Sequence, residues 1–148
     1  MNIGIYIDNI GNEDQMKEIF DCVNDCLGNT KISDISIFYD NIGPCPLNVR
    51  CGFFNSTDLW NFNGTLITTS IDTTKSALSI VNSIKIYFQY NTETKADLFD
   101  LLKITNSDID PLTKNQDDTK ELFRLTGKQS KFTGSLTQLL HFIGDDNG

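Results

Sequence analysis

The sequence has no long apolar stretch and few basic residues. No uninterrupted apolar run in its 148 residues approaches the roughly 18 residues that a membrane-spanning helix needs, so we expect no such helix. Twelve Lys and Arg side chains stand against twenty Asp and Glu, which gives a net charge of −8, and no basic cluster offsets it. Because this field repels phosphate groups, we expect neither nucleic acid nor a membrane as a partner.

The amino terminus also lacks the pattern of a signal peptide. Met1 leads directly into the apolar run at residues 3–7, with no basic segment before it, and Asp8 follows at once. We therefore expect a cytoplasmic protein with reduced thiols. With 39% hydrophobic residues and no repeat or linker, the sequence predicts a single domain covering residues 1–148.

Motifs of common catalytic chemistry are missing. There is no G-x-S-x-G elbow, H-E-x-x-H pair, Walker loop, EF-hand loop or C-x-x-C. The single histidine, His141, lies between two apolar residues, which is typical of a surface or core-flanking position. The cysteine spacing favours buried, reduced thiols over a metal site. We expect no metal and no cofactor, and the sequence assigns no catalytic residue. The cysteines are Cys22, Cys26, Cys45 and Cys51.

Strand-like and helix-like segments alternate along the chain. Such alternation is typical of βαβ units. It predicts an α/β fold: a Rossmann-like three-layer sandwich with a mostly parallel sheet and helices on both faces. The expected strand order is 3-2-1-4-5, with a sixth edge strand near residues 103–105. The five main predicted strands are residues 3–7, 35–39, 53–54, 65–69 and 84–90.

Capping residues place the predicted helices between these strands. Small polar residues begin helices, and glycine ends them. The expected starts are Asn12 (with Gln15), Ser56, Ser70 or Asp72, Asp117 or Asp118, and Ser135, and the expected stops are Gly28, Gly64 and Gly127. Leu98, Leu101 and Leu102 indicate one further helix, which either stands alone or leads into the strand near residues 103–105.

The first candidate site is the loop after the first strand. Ligands of parallel sheets sit outside the carboxyl ends of the strands, and this loop holds Asp8, Asn9, Gly11 and Asn12. The loop lacks G-x-G-x-x-G, and acids around a helix start suit the helix dipole better than a phosphate. If this loop binds a ligand, a neutral, hydroxyl-rich molecule fits best.

A second candidate follows the strand at residues 65–69. Ser70, Asp72, Thr73 and Thr74 open a helix there. Their hydroxyls and carboxylate suit either of two roles. They hydrogen-bond a polar ligand, or they cap the helix, and the second role is the commoner one.

A third candidate contains Asn55, Ser56 and Trp60, the only tryptophan of the chain. An indole ring in a pocket stacks on a sugar ring or a base. Single tryptophans also serve as anchors in cores and interfaces, and this role is the commoner one.

Three segments in the middle of the chain carry a family resemblance: YDNIG at residues 39–43, DLWNFNGTLITT at 58–69 and IKIYF at 84–88. Together they resemble the N-terminal half of two-domain, GT-B type glycosyltransferases, as encoded by tailed phages of marine bacteria. The resemblance implies a domain that receives a sugar or glycan acceptor, with the three candidate loops facing the acceptor cleft. Three later segments also resemble the later part of that half: residues 102–107, 117–127 and 135–143.

In that family the nucleotide-sugar donor is held mainly by the C-terminal half, and this sequence ends at Gly148. The resemblance therefore implies a stand-alone, acceptor-side domain that lacks independent donor binding and is inactive by itself. No catalytic motif is among the matching residues.

Two other functions stay open. One is a non-enzymatic, phage-encoded interaction or virion protein, with a protein partner or a second copy of itself. It follows from the missing catalytic motifs in a small acidic domain. The other is a flavodoxin-like nucleotide binder, which ranks last because residues 8–11 lack a hydroxyl-rich phosphate cradle.

Overall fold

The computed structural model describes residues 2–10, 13–26, 28–29, 31–43, 51–80, 84–91 and 97–147. Its elements, in chain order, are β1 (Asn2–Ile10), α1 (Glu13–Cys26), β2 (Asp34–Ile42), β3 (Gly52–Asn55), a 3-10 helix (Ser56–Asn61), β4 (Gly64–Thr68), α2 (Ile71–Leu78), β5 (Ile84–Tyr90), α3 (Leu98–Thr105), β6 (Asp110–Thr113), α4 (Gln116–Thr126), β7 (Phe132–Thr133) and α5 (Leu136–Asn147).

All seven described strands form one parallel sheet, in the order β3-β2-β1-β4-β5-β6-β7. The predicted Rossmann-like α/β fold and its inner strand order are therefore confirmed. The order reverses direction beside β1, where Ile5 lies opposite Ile37 of β2 on one side and Ile67 of β4 on the other. Strand-order reversals of this kind are where ligands of open α/β sheets bind.

Helices cover both faces of the sheet. On the first face, the isoleucines of β1 and β2 pack against α1 and α5. On the second face, Tyr6, Phe38 and Leu66 pack in one core with side chains of α2, α3 and α4. The 3-10 helix also lies on this second face, where it buries Leu59 in the same core.

Gly4 of β1 allows aromatic rings to approach the second face closely. A Cβ atom at this position would lie 3.0 Å from the ring of Phe38 and 3.2 Å from that of Phe62. These two rings pack edge to face, with centroids 5.2 Å apart. The missing side chain of Gly4 therefore makes room for the residue that follows the 3-10 helix.

Several predicted helix ends are confirmed. Ser70 caps α2: its Oγ accepts a hydrogen bond from the Thr73 amide at 3.1 Å. Ser135 caps α5, because its Oγ accepts from the Gln138 amide at 3.3 Å. Gly127 ends α4 with a φ of +73°, which glycine adopts without strain.

The predicted strand near residues 103–105 is wrong, because these residues belong to α3. The Asp97 side chain caps this helix by accepting from the Phe99 amide at 2.9 Å. At its end, the Thr105 hydroxyl donates to the Leu101 carbonyl oxygen at 3.0 Å. The sixth strand comes later, at Asp110–Thr113, and a seventh follows it.

Two predicted caps are also wrong. Asn115, rather than Asp117 or Asp118, caps α4, since its Oδ1 accepts from the Asp118 amide at 2.8 Å. Asn55, rather than Ser56, caps the 3-10 helix, and its Oδ1 accepts from the Thr57 amide at 3.1 Å. The predicted cap Asn12 lies outside the described residues. None of the helices described is both long and apolar enough to cross a membrane.

Candidate functional site

The candidate site begins with a tyrosine and an aspartate on neighbouring strands. Tyr6 lies at the middle of β1, and Asp40 lies toward the carboxyl end of β2. The phenol of Tyr6 donates a hydrogen bond to Asp40 Oδ1 at 2.6 Å. The two residues are 34 positions apart in the sequence, so only the pairing of β1 with β2 brings them together.

A cavity of about 190 Å³ opens above this pair, between the 3-10 helix and α2. We call it the polar cavity. Its lining includes five hydroxyl groups and one carboxylate, and Trp60 borders it with its side chain 51% exposed. Drug-sized ligands need roughly 300–1,000 Å³, so the polar cavity suits a ligand about the size of one sugar ring. The lining residues are Tyr6, Asp40, Ser56, Thr57, Leu59, Trp60, Ser76, Ser79 and Ile80.

A second cavity, of about 410 Å³, lies on the other side of the 3-10 helix. We call it the aromatic cavity because three phenylalanines line it. Phe38 lies between the other two, with ring centroids 5.8 Å from Phe54 and 5.2 Å from Phe62. The lining residues are Ser36, Phe38, Phe54, Asp58, Asn61 and Phe62.

The period of the 3-10 helix separates the two cavities. This helix has three residues per turn, so residues three apart share a side. Thr57 and Trp60 line the polar cavity. Asp58 and Asn61 line the aromatic cavity. Leu59 lies between these sides and is buried against the sheet, which fixes the helix in place.

Burial and charge change the acidity of Tyr6. Desolvation is the largest cause, and the hydrogen bond to Asp40 and the charge of Asp40 add to it. Together they raise the pKa of Tyr6 to about 12, while hydrogen bonds from Ser56 and Ser76 act in the opposite direction. The phenol is therefore a neutral hydrogen-bond donor at physiological pH and does not act as a base.

Asp8 adds a second carboxylate at the same edge of the sheet. Burial is the main cause that raises the pKa of Asp8, and the negative charges of Asp40 and Asp72 raise it further. A hydrogen bond from Ser70 partly opposes this rise. Three acidic side chains therefore share one electrostatic environment beside the polar cavity.

The hydroxyls at the start of α2 are occupied by the fold. Thr73 and Thr74 are fully buried. Thr73 completes a capping box with Ser70. Thr74 Oγ1 lies 2.6 Å from Thr68 Oγ1 and also donates to the Ser70 carbonyl oxygen at 2.6 Å. These threonines stabilise the β4–α2 corner and do not line the polar cavity.

The structure brings some of the predicted site residues together and leaves others apart. Ser56 and Trp60 line the polar cavity. Asp8 interacts with Ser70, and the charges of Asp40 and Asp72 act on it. Asn55 caps the 3-10 helix. Asn9 is exposed near the end of β1. Gly11 and Asn12 lie outside the described residues.

Five polar residues of this site are not among the predicted site residues: Tyr6, Asp40, Thr57, Ser76 and Ser79. A signal for Tyr6 was available. Side chains alternate along a strand, so Tyr6 and Asp8 share one face of β1, opposite Ile5 and Ile7. A tyrosine and an aspartate on one face of an otherwise isoleucine-rich strand indicate a polar surface.

The described cysteines and the histidine lie on the first face, away from this cavity, and Cys45 lies outside the described residues. Cys22 and Cys26 are buried, as predicted. Burial raises the pKa of Cys22 to about 12, so this thiol is unreactive. Exposed His141 contacts Cys26 Sγ at 3.9 Å and Asn29 Nδ2 at 2.8 Å. Within the described part of the chain, no cluster of three or more His, Cys, Asp or Glu could hold a metal.

Comparison with protein-family models, with curated proteins and with solved structures finds no match to this chain. The site is therefore interpreted from its own geometry and chemistry.

Proposed function

We propose that this domain binds a saccharide in the polar cavity, as the acceptor-side domain of a GT-B type glycosyltransferase. The observation that carries the proposal is the lining of the cavity. Five hydroxyls, one carboxylate and a half-exposed tryptophan converge on a space the size of one sugar ring.

The chemistry of this lining suits a sugar. Sugar hydroxyls both donate and accept hydrogen bonds, as do serine hydroxyls such as those of Ser56 and Ser76. The hydroxyl of Thr57 donates to Asn55 Oδ1 at 3.1 Å and that of Ser79 to the Ser76 carbonyl oxygen at 2.6 Å, so these two offer a sugar their acceptor positions. The Asp40 carboxylate accepts additional hydrogen bonds, and charge-assisted bonds of this kind are stronger than neutral ones. The exposed ring of Trp60 offers an apolar face for the C–H groups of a sugar ring.

In this proposal, the nucleotide-sugar donor binds outside this domain. Within the part of the chain that the structure describes, no lysine or arginine lines the polar cavity. Asp8, Asp40 and Asp72 make the neighbouring edge of the sheet negative. Such a surface disfavours the diphosphate of a nucleotide sugar, so a donor requires a separate domain or protein.

Calorimetric titration with neutral oligosaccharides, and separately with nucleotide sugars, tests this proposal. We expect heat from the first group and none from the second. Trp60→Ala should weaken saccharide binding by about tenfold, which corresponds to the roughly 1.4 kcal/mol available from one aromatic contact. Phe99→Ala removes an aromatic ring that is 83% exposed on α3, outside the cavity, and is the matched control. Absence of saccharide binding, or equal losses in both variants, would contradict the proposal.

Protein interaction is a second candidate function, favoured by the edge strand β3. In the described sheet β3 is an outer strand, and Phe53 and Phe54 are 38% and 41% exposed there. Apolar edge strands are sites of pairing with other chains. If β3 pairs with a second copy, light scattering should detect a dimer that Phe54→Asp dissociates and Phe99→Asp does not. A monomer at all concentrations would contradict self-association.

A further inference from the structure

We propose that the saccharide bound in the polar cavity carries a primary amine, so that the ligand class is an amino sugar. This inference rests on the proposed function and narrows it. It is drawn from the charges that surround the cavity and from the hydrogen-bonding geometry of Asp40.

Asp40 is the one acidic or basic residue among the described residues that line the cavity. Its Oδ1 already accepts the Tyr6 phenol at 2.6 Å. A carboxylate has about four acceptor positions, so Asp40 still has positions to offer a ligand. An ammonium group presents three donors and a positive charge, which complement this carboxylate better than a neutral hydroxyl does.

The surroundings of Asp40 strengthen this preference for a cation. Asp8 lies close enough to both Asp40 and Asp72 for their negative charges to act on it. A bound ammonium would reduce the repulsion among these three carboxylates. Trp60 contributes as well, since an indole face attracts a cation within about 6 Å of its centre.

The protein's own nearby lysine does not fill this role. Lys75 precedes the cavity residue Ser76 on α2, but its Nζ pairs with Asp100 of α3 at 3.5 Å. Among the cavity-lining residues that the structure describes, there is no internal cation to pair with Asp40. The ligand therefore supplies the positive charge.

Three tetrasaccharides with the same β-1,4 backbone test the inference: the glucosamine, N-acetylglucosamine and glucose tetramers. Calorimetry at about pH 6 keeps the free amines of the glucosamine tetramer charged. We expect the glucosamine tetramer to bind about tenfold more tightly than the other two, as for a single charge-assisted hydrogen bond. This preference should shrink as salt is raised, because salt screens exposed charges.

Asp40→Asn keeps the shape of the side chain and its acceptor for Tyr6, and should abolish the preference for the amine. Asp58→Asn removes the same charge from the aromatic cavity and should leave the preference intact. Equal binding of all three tetramers would overturn the amine inference and leave saccharide binding standing. Binding of none would overturn both proposals. A preference that survives in Asp40→Asn, or that Asp58→Asn also removes, would reflect general charge attraction and overturn the inference.

Discussion

The polar and aromatic cavities share one wall, the 3-10 helix, yet their chemistry is opposite. One side of this helix presents Thr57 and Trp60 to hydroxyls and a carboxylate. The other side presents Asp58 and Asn61 to a cluster of phenylalanine rings. Six residues, Ser56–Asn61, therefore separate two environments.

The two cavities differ in which strands of the sheet supply their lining residues. The polar cavity takes Tyr6 and Asp40 from β1 and β2, close to the reversal in strand order. The aromatic cavity takes Phe38 and Phe54 from β2 and the edge strand β3. Closeness to the strand-order reversal, more than the 3-10 helix, therefore determines which of the two cavities has polar groups for a ligand.

Removing the residue on which both cavities depend should have the largest effect. Leu59→Ala deletes the buried anchor of the 3-10 helix, which is 1% exposed. We expect a loss of about 2–5 kcal/mol in the free energy of unfolding, the usual range for a buried leucine. Urea titration measures it. Trp60→Ala, on the exposed side, should cost much less, and equal losses would show that Leu59 is no anchor.

Gly4→Ala should lower the stability by less than Leu59→Ala and should disturb the aromatic cavity more than the polar cavity. Gly4→Ala would place a Cβ atom 2.9 Å from Leu66 and 3.0 Å from Phe38, so the rings at the aromatic cavity must shift. We expect a destabilisation of about 1–3 kcal/mol, with ligand binding in the polar cavity largely retained. Gly28→Ala is the control, because no atom lies within 4 Å of a Cβ atom there. If Gly28→Ala lowers the free energy of unfolding by a similar amount, the steric explanation is wrong.

Tyr6→Phe affects the polar cavity alone. Loss of the hydrogen bond to Asp40 should cost about 1 kcal/mol near neutral pH. The pKa of Tyr6, about 12, lies above the ordinary tyrosine value of 10.0, so the folded protein keeps this proton longer than the unfolded chain. The stability of the unmodified protein should therefore fall as pH rises from about 10 to about 12, and part of that fall should be missing in the variant. Absorbance titration of tyrosinate should also lose one phenol that ionises near pH 12; an unchanged titration would contradict the assignment.

Asp8→Asn should change the stability least of the four variants, and the change should be a gain at neutral pH. The pKa of Asp8 is raised in the folded protein, by burial and then by the charges of Asp40 and Asp72. Its ionisation therefore opposes folding at pH values above its folded pKa. We expect the variant to be slightly more stable at neutral pH, by no more than about 0.5 kcal/mol, and this gain to vanish at low pH. Thermal melting across pH measures it, and a destabilised variant at neutral pH would contradict the sign.

The sequence predicted the fold well because its signals are local. Short β-branched runs such as residues 65–69, and caps such as Ser70 and Gly127, depend on neighbours within a few positions. The error at residues 103–105 has the same origin. The short segment at residues 101–105 suits a strand and a buried helix equally, and only the caps at Asp97 and Asn106 decide between them.

The site was harder to predict because its members come from distant parts of the chain. Tyr6 and Asp40 become partners only through the pairing of β1 with β2. Ser76 and Ser79 reach the cavity only because α2 packs beside the 3-10 helix. Thr73 and Thr74, which resemble ligand-binding hydroxyls in sequence, are fully buried by the same packing. Sequence spacing contains no information on either outcome.

The three-residue period of the 3-10 helix also limits how the segment Ser56–Asn61 can change in length. One residue inserted after Thr57 would turn every later side chain by about a third of a turn. Asp58 would then face the sheet, and Leu59 would move from the core to the mouth of the polar cavity. Insertions or deletions of three residues would preserve all three sides of the helix. Natural variants of this segment should therefore differ in length by whole turns, and engineered loops grafted here should follow the same rule.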